Sequence, residues 1–223
     1  MKNKIRLIFR FLFSISLMGF LLFYVPNNYR YWQGWIYFAS FICLAIFTML
    51  ILPAGLSTER MSPGSNVKKW DYVFIAIYTP LNFLIPLFCA YDANKLNWSN
   101  VTPPFVNIIA ALFVIMGTCL TVWSTWTNQY FSSMVRIQKD RGQKVIQDGP
   151  YKIVRHPGYF GGVILYTFLP LLLNSILGLV GSLILIIAFF IRTYLEDLTL
   201  QNELEGYIEY TKKVRKRLIP FVW

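Results

Sequence analysis

Six long apolar runs limit what this chain can fold into. Residues 7–25, 31–52, 72–90, 105–126, 159–173 and 176–194 contain no Asp, Glu, Lys or His, and their only arginines are Arg10 and Arg192. A helix of roughly 20 such residues, rising about 1.5 Å per residue, matches a hydrocarbon core ~30 Å thick. A soluble domain carries about a quarter charged residues; this one carries 14% charged and 56% hydrophobic residues. These observations predict an all-α integral membrane protein with about six transmembrane helices. The start, Met1-Lys-Asn-Lys-Ile-Arg6, resembles a signal peptide. The run behind it is too long for one and lacks a small-residue cleavage site, so it reads as a retained first span. Pro53 and Gly55 end the second run, while Pro80 and Pro86 lie inside the third, where neighbouring spans can re-satisfy the backbone.

The last two runs are separated only by Asn174-Ser175. Two helices joined so tightly must form an antiparallel hairpin. The first of them is short, reaching roughly 22 Å, so the hairpin is expected to cross obliquely or to thin the bilayer locally. Six crossings put both termini on one side, and the basic residues agree. Nineteen of the 21 Lys and Arg fall on that side, leaving only Arg30 and Lys95 opposite. That asymmetry is the positive-inside pattern. Both termini and the 127–157 segment are therefore expected in the cytosol. The net charge of +11 reflects topology and attraction to anionic membrane lipids, not nucleic acid. Cys43, Cys89 and Cys119 are scattered through apolar sequence and His156 is the only histidine, so no metal site is expected. The partition expected is residues 1–127 as four spans and 128–223 as a core of cytosolic loop, helical hairpin and C-terminal helical cap.

The chemistry-bearing residues cluster in that second part. Residues 148–161 are punctuated by Gly149-Pro150 and Pro157-Gly158 and hold Arg155 and His156. Pro157 suits the first position of a helix. The free N–H groups of such a helix, beside Arg155 and His156, would make an anion-binding corner. Arg192 and Glu196 stand one turn apart on one helix face, with Asp197 beside them. By spacing alone an ordinary ion pair at a helix end is the favoured reading. Gly206 reads as a helix stop, and 207–217 as a basic amphipathic helix lying at the interface, with Trp223 as an anchor.

Taken in order, Gly149-Pro-Tyr151, Arg155-His-Pro-Gly-Tyr-Phe-Gly161, Arg192-x-x-x-Glu196-Asp197, Gly206-Tyr-x-x-Tyr210 and Arg217-Leu-Ile-Pro220 form one pattern. It resembles the isoprenylcysteine carboxyl methyltransferase family and the related phospholipid methyltransferases. The resemblance runs from about Asn128 onward. This chain has Glu196-Asp197 where the family usually has two glutamates, and Gln143-Lys144 where many relatives carry a histidine. The resemblance implies a membrane-embedded methyltransferase using S-adenosyl-L-methionine on a lipophilic acceptor that enters from the bilayer, either a prenylcysteine-type carboxylate or another lipid.

It also implies catalytic roles for Glu196 and Arg192. Cofactor contacts fall to Tyr151, Arg155, His156, Pro157, Tyr159, Gly161, Glu196, Asp197, Tyr207 and Tyr210. On this reading Arg155, His156 and the helix start take the cofactor's carboxylate. Glu196 and Asp197 face its cationic end, with Arg192 orienting Glu196, and the tyrosines offer aromatic faces. His156 serves as a donor rather than a base, because Arg155 and the helix start disfavour its cationic form. A transporter would place ionisable residues within its spans, and a scaffold would not need this cluster. The closer rival is a membrane-embedded, NADPH-dependent sterol-type reductase, which shares the Arg-His-Pro-x-Tyr element.

Overall fold

The computed structural model describes residues 2–50, 56, 59–60, 64–99 and 102–223. The end of the second apolar run, with Pro53 and Gly55, lies outside them. The described residues fold into seven α-helices with no strand: α1 (Lys2–Gly19), α2 (Trp32–Leu50), α3 (Asp71–Tyr91), α4 (Pro104–Thr127), α5 (Pro157–Leu172), α6 (Gly178–Glu203) and α7 (Tyr207–Lys213). Each apolar run corresponds to one of the first six. Three stretches are long and apolar enough to cross a membrane, namely Asp71–Leu96, Pro104–Thr127 and Gly178–Glu203. Ile8–Tyr24, Trp32–Phe47 and Pro157–Leu172 are shorter apolar helices.

Helix α3 continues without a break across Pro80 and Pro86 and finishes in a π-helical turn, Asp92–Leu96. A second such turn, Phe20–Tyr24, extends α1. The core between the helices is aromatic. Phe74 lies 5.4 Å from Phe189 between ring centres, and Tyr78 meets Tyr166 edge-on at 6.3 Å.

Gly161 and Gly117 set the closest helix contact. A Cβ on Gly161 would lie 2.5 Å from Thr121 Oγ1 and 2.6 Å from the Gly117 carbonyl oxygen, and one on Gly117 would lie 2.6 Å from the Gly161 oxygen. Only glycine at both positions lets α4 and α5 approach so closely, a common device where helices pack without a hydrophobic drive between them. Gly161 therefore works in helix packing.

The connection between α5 and α6 turns at Asn174, in the left-handed region (φ 55°). Tyr31 OH and Asn107 Nδ2 each donate 2.6 Å bonds to carbonyls there, of Leu173 and Leu171. Buried Asp92 accepts from Ser175 Oγ at 2.6 Å and from Ser99 Oγ. The hairpin turn is thus tied, across the fold, to the end of α3 through a buried carboxylate that is fully hydrogen-bonded.

At the opposite end helix α6 continues as far as Glu203, carrying Arg192, Glu196 and Asp197, and ends before Gly206 as the sequence predicts. Gly206, at φ 78°, breaks the chain before α7. The expected amphipathic helix over 207–217 stops at Lys213, and its inner residues Tyr207 and Tyr210 are buried. Beyond it the chain leaves the helix at Val214, in extended backbone, and ends in a turn over 219–223. The backbone N–H groups of Arg155 and His156 donate to the carbonyls of Lys216 (3.0 Å) and Arg217 (2.9 Å). Those pairings, made across the fold, outweigh local helix propensity.

Candidate active site

Asp197 holds this end of the molecule together. Its carboxylate is fully buried and receives Arg155 through two parallel bonds, Nε to Oδ1 and Nη2 to Oδ2, both 2.7 Å. Arg217 Nε at 2.9 Å, Gln201 Nε2 at 2.7 Å and Tyr207 OH at 2.9 Å complete its shell, with His156 Nε2 at 3.3 Å. A carboxylate ionised between two guanidiniums can only accept, so the His156 contact requires an N–H on Nε2. Arg155 uses Nη1 on the carbonyls of Val214 and Arg215, each at 2.9 Å. The start of α5, the end of α6, α7 and the tail therefore meet on one side chain. The sequence pattern assigns Arg155 and Asp197 to opposite ends of the cofactor, whereas the structure pairs them with each other.

Glu196, the neighbouring residue, faces a different space. Its carboxylate accepts a short hydrogen bond from Tyr159 OH. Tyr159 stacks against the His156 ring, with centres 5.7 Å apart and planes 4° from parallel. Arg192 does not bond Glu196. Its Nη2 reaches Asp71 Oδ2 and the Ser133 carbonyl, both at 3.0 Å, and its guanidinium lies 4.2 Å over the Phe74 ring. Neither the expected orientation of Glu196 by Arg192 nor an ordinary pair between them forms, because Asp71 on α3 takes the guanidinium.

Two cavities open around these residues. The first holds about 760 Å3 of space, solvent included, between the 128–146 loop, the starts of α5 and α7, and the end of α6. Tyr151, Arg155, His156, Tyr159, Glu196, Tyr207 and Tyr210 line it, as does Gly158. Pro157, Gly161 and Asp197 do not. Tyr210 donates to the Tyr151 carbonyl at 2.6 Å. Burial pushes the phenols of Tyr151, Tyr207 and Tyr210 up, so each stays neutral and able to donate.

The second cavity, about 1690 Å3 with the solvent it opens to, lies among the helices and is mainly apolar. Tyr37, Phe41, Phe74, Tyr78, Leu165 and Phe189 contribute to its wall, with Arg10, Arg60 and Arg192 also lining it. Phe131, Ser132, Met134, Gly158 and Tyr159 line both cavities, so the two adjoin through them.

The shared wall comes largely from the 128–146 loop, from which sequence reasoning singled out only positions 143 and 144. Gln143 and Lys144 both line the first cavity. Gln143 Oε1 accepts from the Gln138 N–H at 2.7 Å and so braces the loop. Buried Arg136 braces it too, with Nε and Nη2 each 2.7 Å from the Glu59 carboxylate and Nη1 2.7 Å from Asp140. The bonds from Arg136 hold Glu59 below the usual carboxylate range. This clasp is therefore complete at neutral pH and fails only as the pH falls through that lowered pKa. No sequence motif marks the loop, since its role depends on partners about 75 residues upstream. Among the described residues no group of three His, Cys, Asp or Glu could hold a metal ion.

Residues 109–202 match the family model described as isoprenylcysteine carboxyl methyltransferase. Two rice proteins, from Oryza sativa subsp. indica and subsp. japonica, are each named probable protein-S-isoprenylcysteine O-methyltransferase. Each is 30% identical to this chain over 193 residues, covering 85% of it and 97% of the relative. With near-complete coverage of those relatives and an all-helical membrane architecture, the chain belongs to the isoprenylcysteine carboxyl methyltransferase family.

Proposed function

We propose that this membrane methyltransferase moves a methyl group from S-adenosylmethionine, bound in the first cavity, to a lipophilic acceptor of the prenylcysteine type held in the second. The observation that carries this reading is the pair of adjoining cavities with Tyr159 in their common wall. A reaction joining a soluble cofactor to a lipid needs two chambers of unlike polarity meeting at one point. The second chamber is mainly apolar, whereas polar and apolar groups share the lining of the first. The lining of the first suits this cofactor: the Glu196 carboxylate for a cationic group, aromatic faces from Tyr159 and Tyr207, and the start of α5 at Gly158 for a carboxylate.

In this reading all six long helices cross the bilayer. Both termini and the first cavity face the cytosol, as the 19-to-2 split of basic residues favours. Residues 1–127 mainly shape the acceptor chamber and 128–223 form the cofactor-binding core. S-adenosylmethionine supplies a methyl group already activated on a sulfonium. The residues of the chain align, exclude water and set charge, which together supply much of the rate in such displacements. Tyr159 fixes the Glu196 carboxylate by its hydrogen bond. Asp197, with Arg155 and Arg217, holds α5, α6 and the tail in position around the site. A carboxylate acceptor needs no general base, so Glu196 orients and balances charge; an amine acceptor would require it to take a proton.

Binding to purified, detergent-solubilised protein tests the cofactor assignment. Calorimetry should register S-adenosylhomocysteine and no NADPH. Binding of NADPH with no response to S-adenosylhomocysteine would replace this reading with the reductase.

A further inference from the structure

Arg60 is a cation without an acidic partner among the described residues, facing the chamber where the acceptor would lie. It sits between α2 and α3, outside the 109–202 segment that matches the family model. The buried acids nearby are engaged elsewhere: Glu59 goes to Arg136, Asp71 to Arg192, and Asp197 to Arg155 and Arg217, while Asp140 also pairs with Arg136. The Arg60 guanidinium lies 5.7 Å over the Phe131 ring, on the wall common to both cavities. Burial, and then the charge of Arg192, draw its pKa below the usual guanidinium value, with the Tyr78 and Tyr159 phenols acting the other way. Arg60 is half-buried at this wall, and with no acidic partner among the described residues to balance it, its guanidinium favours an anion in the cavity beside it.

The backbone around Arg60 is held in place by the loop. Ser133 OH donates to the Arg60 carbonyl at 3.2 Å, and Ser132 OH to Glu59 Oε1 at 3.2 Å, beside the Glu59–Arg136 clasp. Residues 132–136 thus carry Arg60 and at the same time help wall both cavities.

We propose that Arg60 binds the carboxylate of the methyl acceptor at the junction of the two cavities, and so selects acids over neutral or amine-bearing lipids. This rests on the methyltransferase reading above. Arg192 is charge-matched by Asp71 and frames the same junction, 5.2 Å over Tyr159. Held there, a carboxylate oxygen forms the new bond to the methyl carbon as that carbon's bond to sulfur breaks. The electron pair stays on sulfur, giving a neutral thioether and a neutral ester, and no proton moves. A phosphodiester headgroup would also satisfy Arg60, but its amine would then stand an ethylene unit away from the junction.

The test compares wild type, Arg60→Gln and Arg60→Lys with N-acetyl-S-farnesylcysteine as acceptor and its carboxamide as competitor. Arg60→Gln should raise the acceptor KM roughly tenfold or more, the cost of removing one partner of a close charge pair, with S-adenosylhomocysteine affinity unchanged. Arg60→Lys should restore most of that loss. Wild type should bind the acid more tightly than the amide, and Arg60→Gln should bind both alike. An unchanged KM and an unchanged acid preference in Arg60→Gln would overturn the assignment while leaving the methyltransferase reading intact. Failure of the wild type to bind S-adenosylhomocysteine would instead remove that reading. Methylation of phosphatidylethanolamine vesicles in preference to the farnesylcysteine would overturn the carboxylate class.

Discussion

Asp197→Asn should destabilise the protein by about 3–5 kcal/mol, the range for removing one partner from a buried ion pair. The carboxylate has no exposure and serves two arginines, a histidine, a tyrosine and a glutamine. An amide of the same shape offers one acceptor oxygen and no charge, so Arg155, which uses both oxygens, would lose one of its two bonds and both guanidiniums would lose their counter-charge. Thermal unfolding in detergent should show a clear fall in Tm. Affinity for S-adenosylhomocysteine should fall with it, because α5, α6 and the tail all hang on this side chain. If Asp197 served mainly as a cofactor ligand, the variant would keep its Tm and lose affinity alone. That outcome would contradict a structural role for Asp197.

Glu196→Gln should behave in the opposite way. Glu196 is half-buried, and its one hydrogen bond among the described residues comes from Tyr159. The variant should insert and unfold like wild type. It should lose about ten- to a hundredfold in S-adenosylhomocysteine affinity, matching a hydrogen bond to a charged group worth ~1.5–3 kcal/mol. Tyr159→Phe keeps the charge but frees the carboxylate to rotate, so its loss should be smaller. Isothermal calorimetry measures both, and unchanged affinity in Glu196→Gln would remove Glu196 from the site.

What could be read in the sequence divides along a physical line. The six helices were legible because uninterrupted apolar length is a property of each segment by itself. The hairpin was legible because two residues leave no other path. The motif residues Tyr151, Arg155, His156, Tyr159, Glu196, Tyr207 and Tyr210 gather around one cavity. Which of them pair was not legible. Spacing places Arg192 and Glu196 on one face, but nothing in a linear pattern reveals that Asp71, on another helix, takes Arg192 first. Arg155 and Asp197 look like two ends of a clamp until the fold shows them sharing two bonds.

Gly161 looks like part of a cofactor motif, yet a side chain there would strike the backbone of α4. The 128–146 loop carries no periodicity at all. Its contribution to both cavities comes from Glu59–Arg136 and the serines at 132 and 133, which are contacts across the fold.

The most direct measurement uses membranes containing the protein, S-adenosylmethionine carrying a labelled methyl group, and N-acetyl-S-farnesylcysteine. Label should enter the lipid extract and be released by alkali as methanol, as a methyl ester must be, and much less should appear with Glu196→Gln membranes at the same cofactor concentration. Label absent from the lipid fraction, or bound there in an alkali-stable form, would contradict methyl transfer to a prenylcysteine carboxylate.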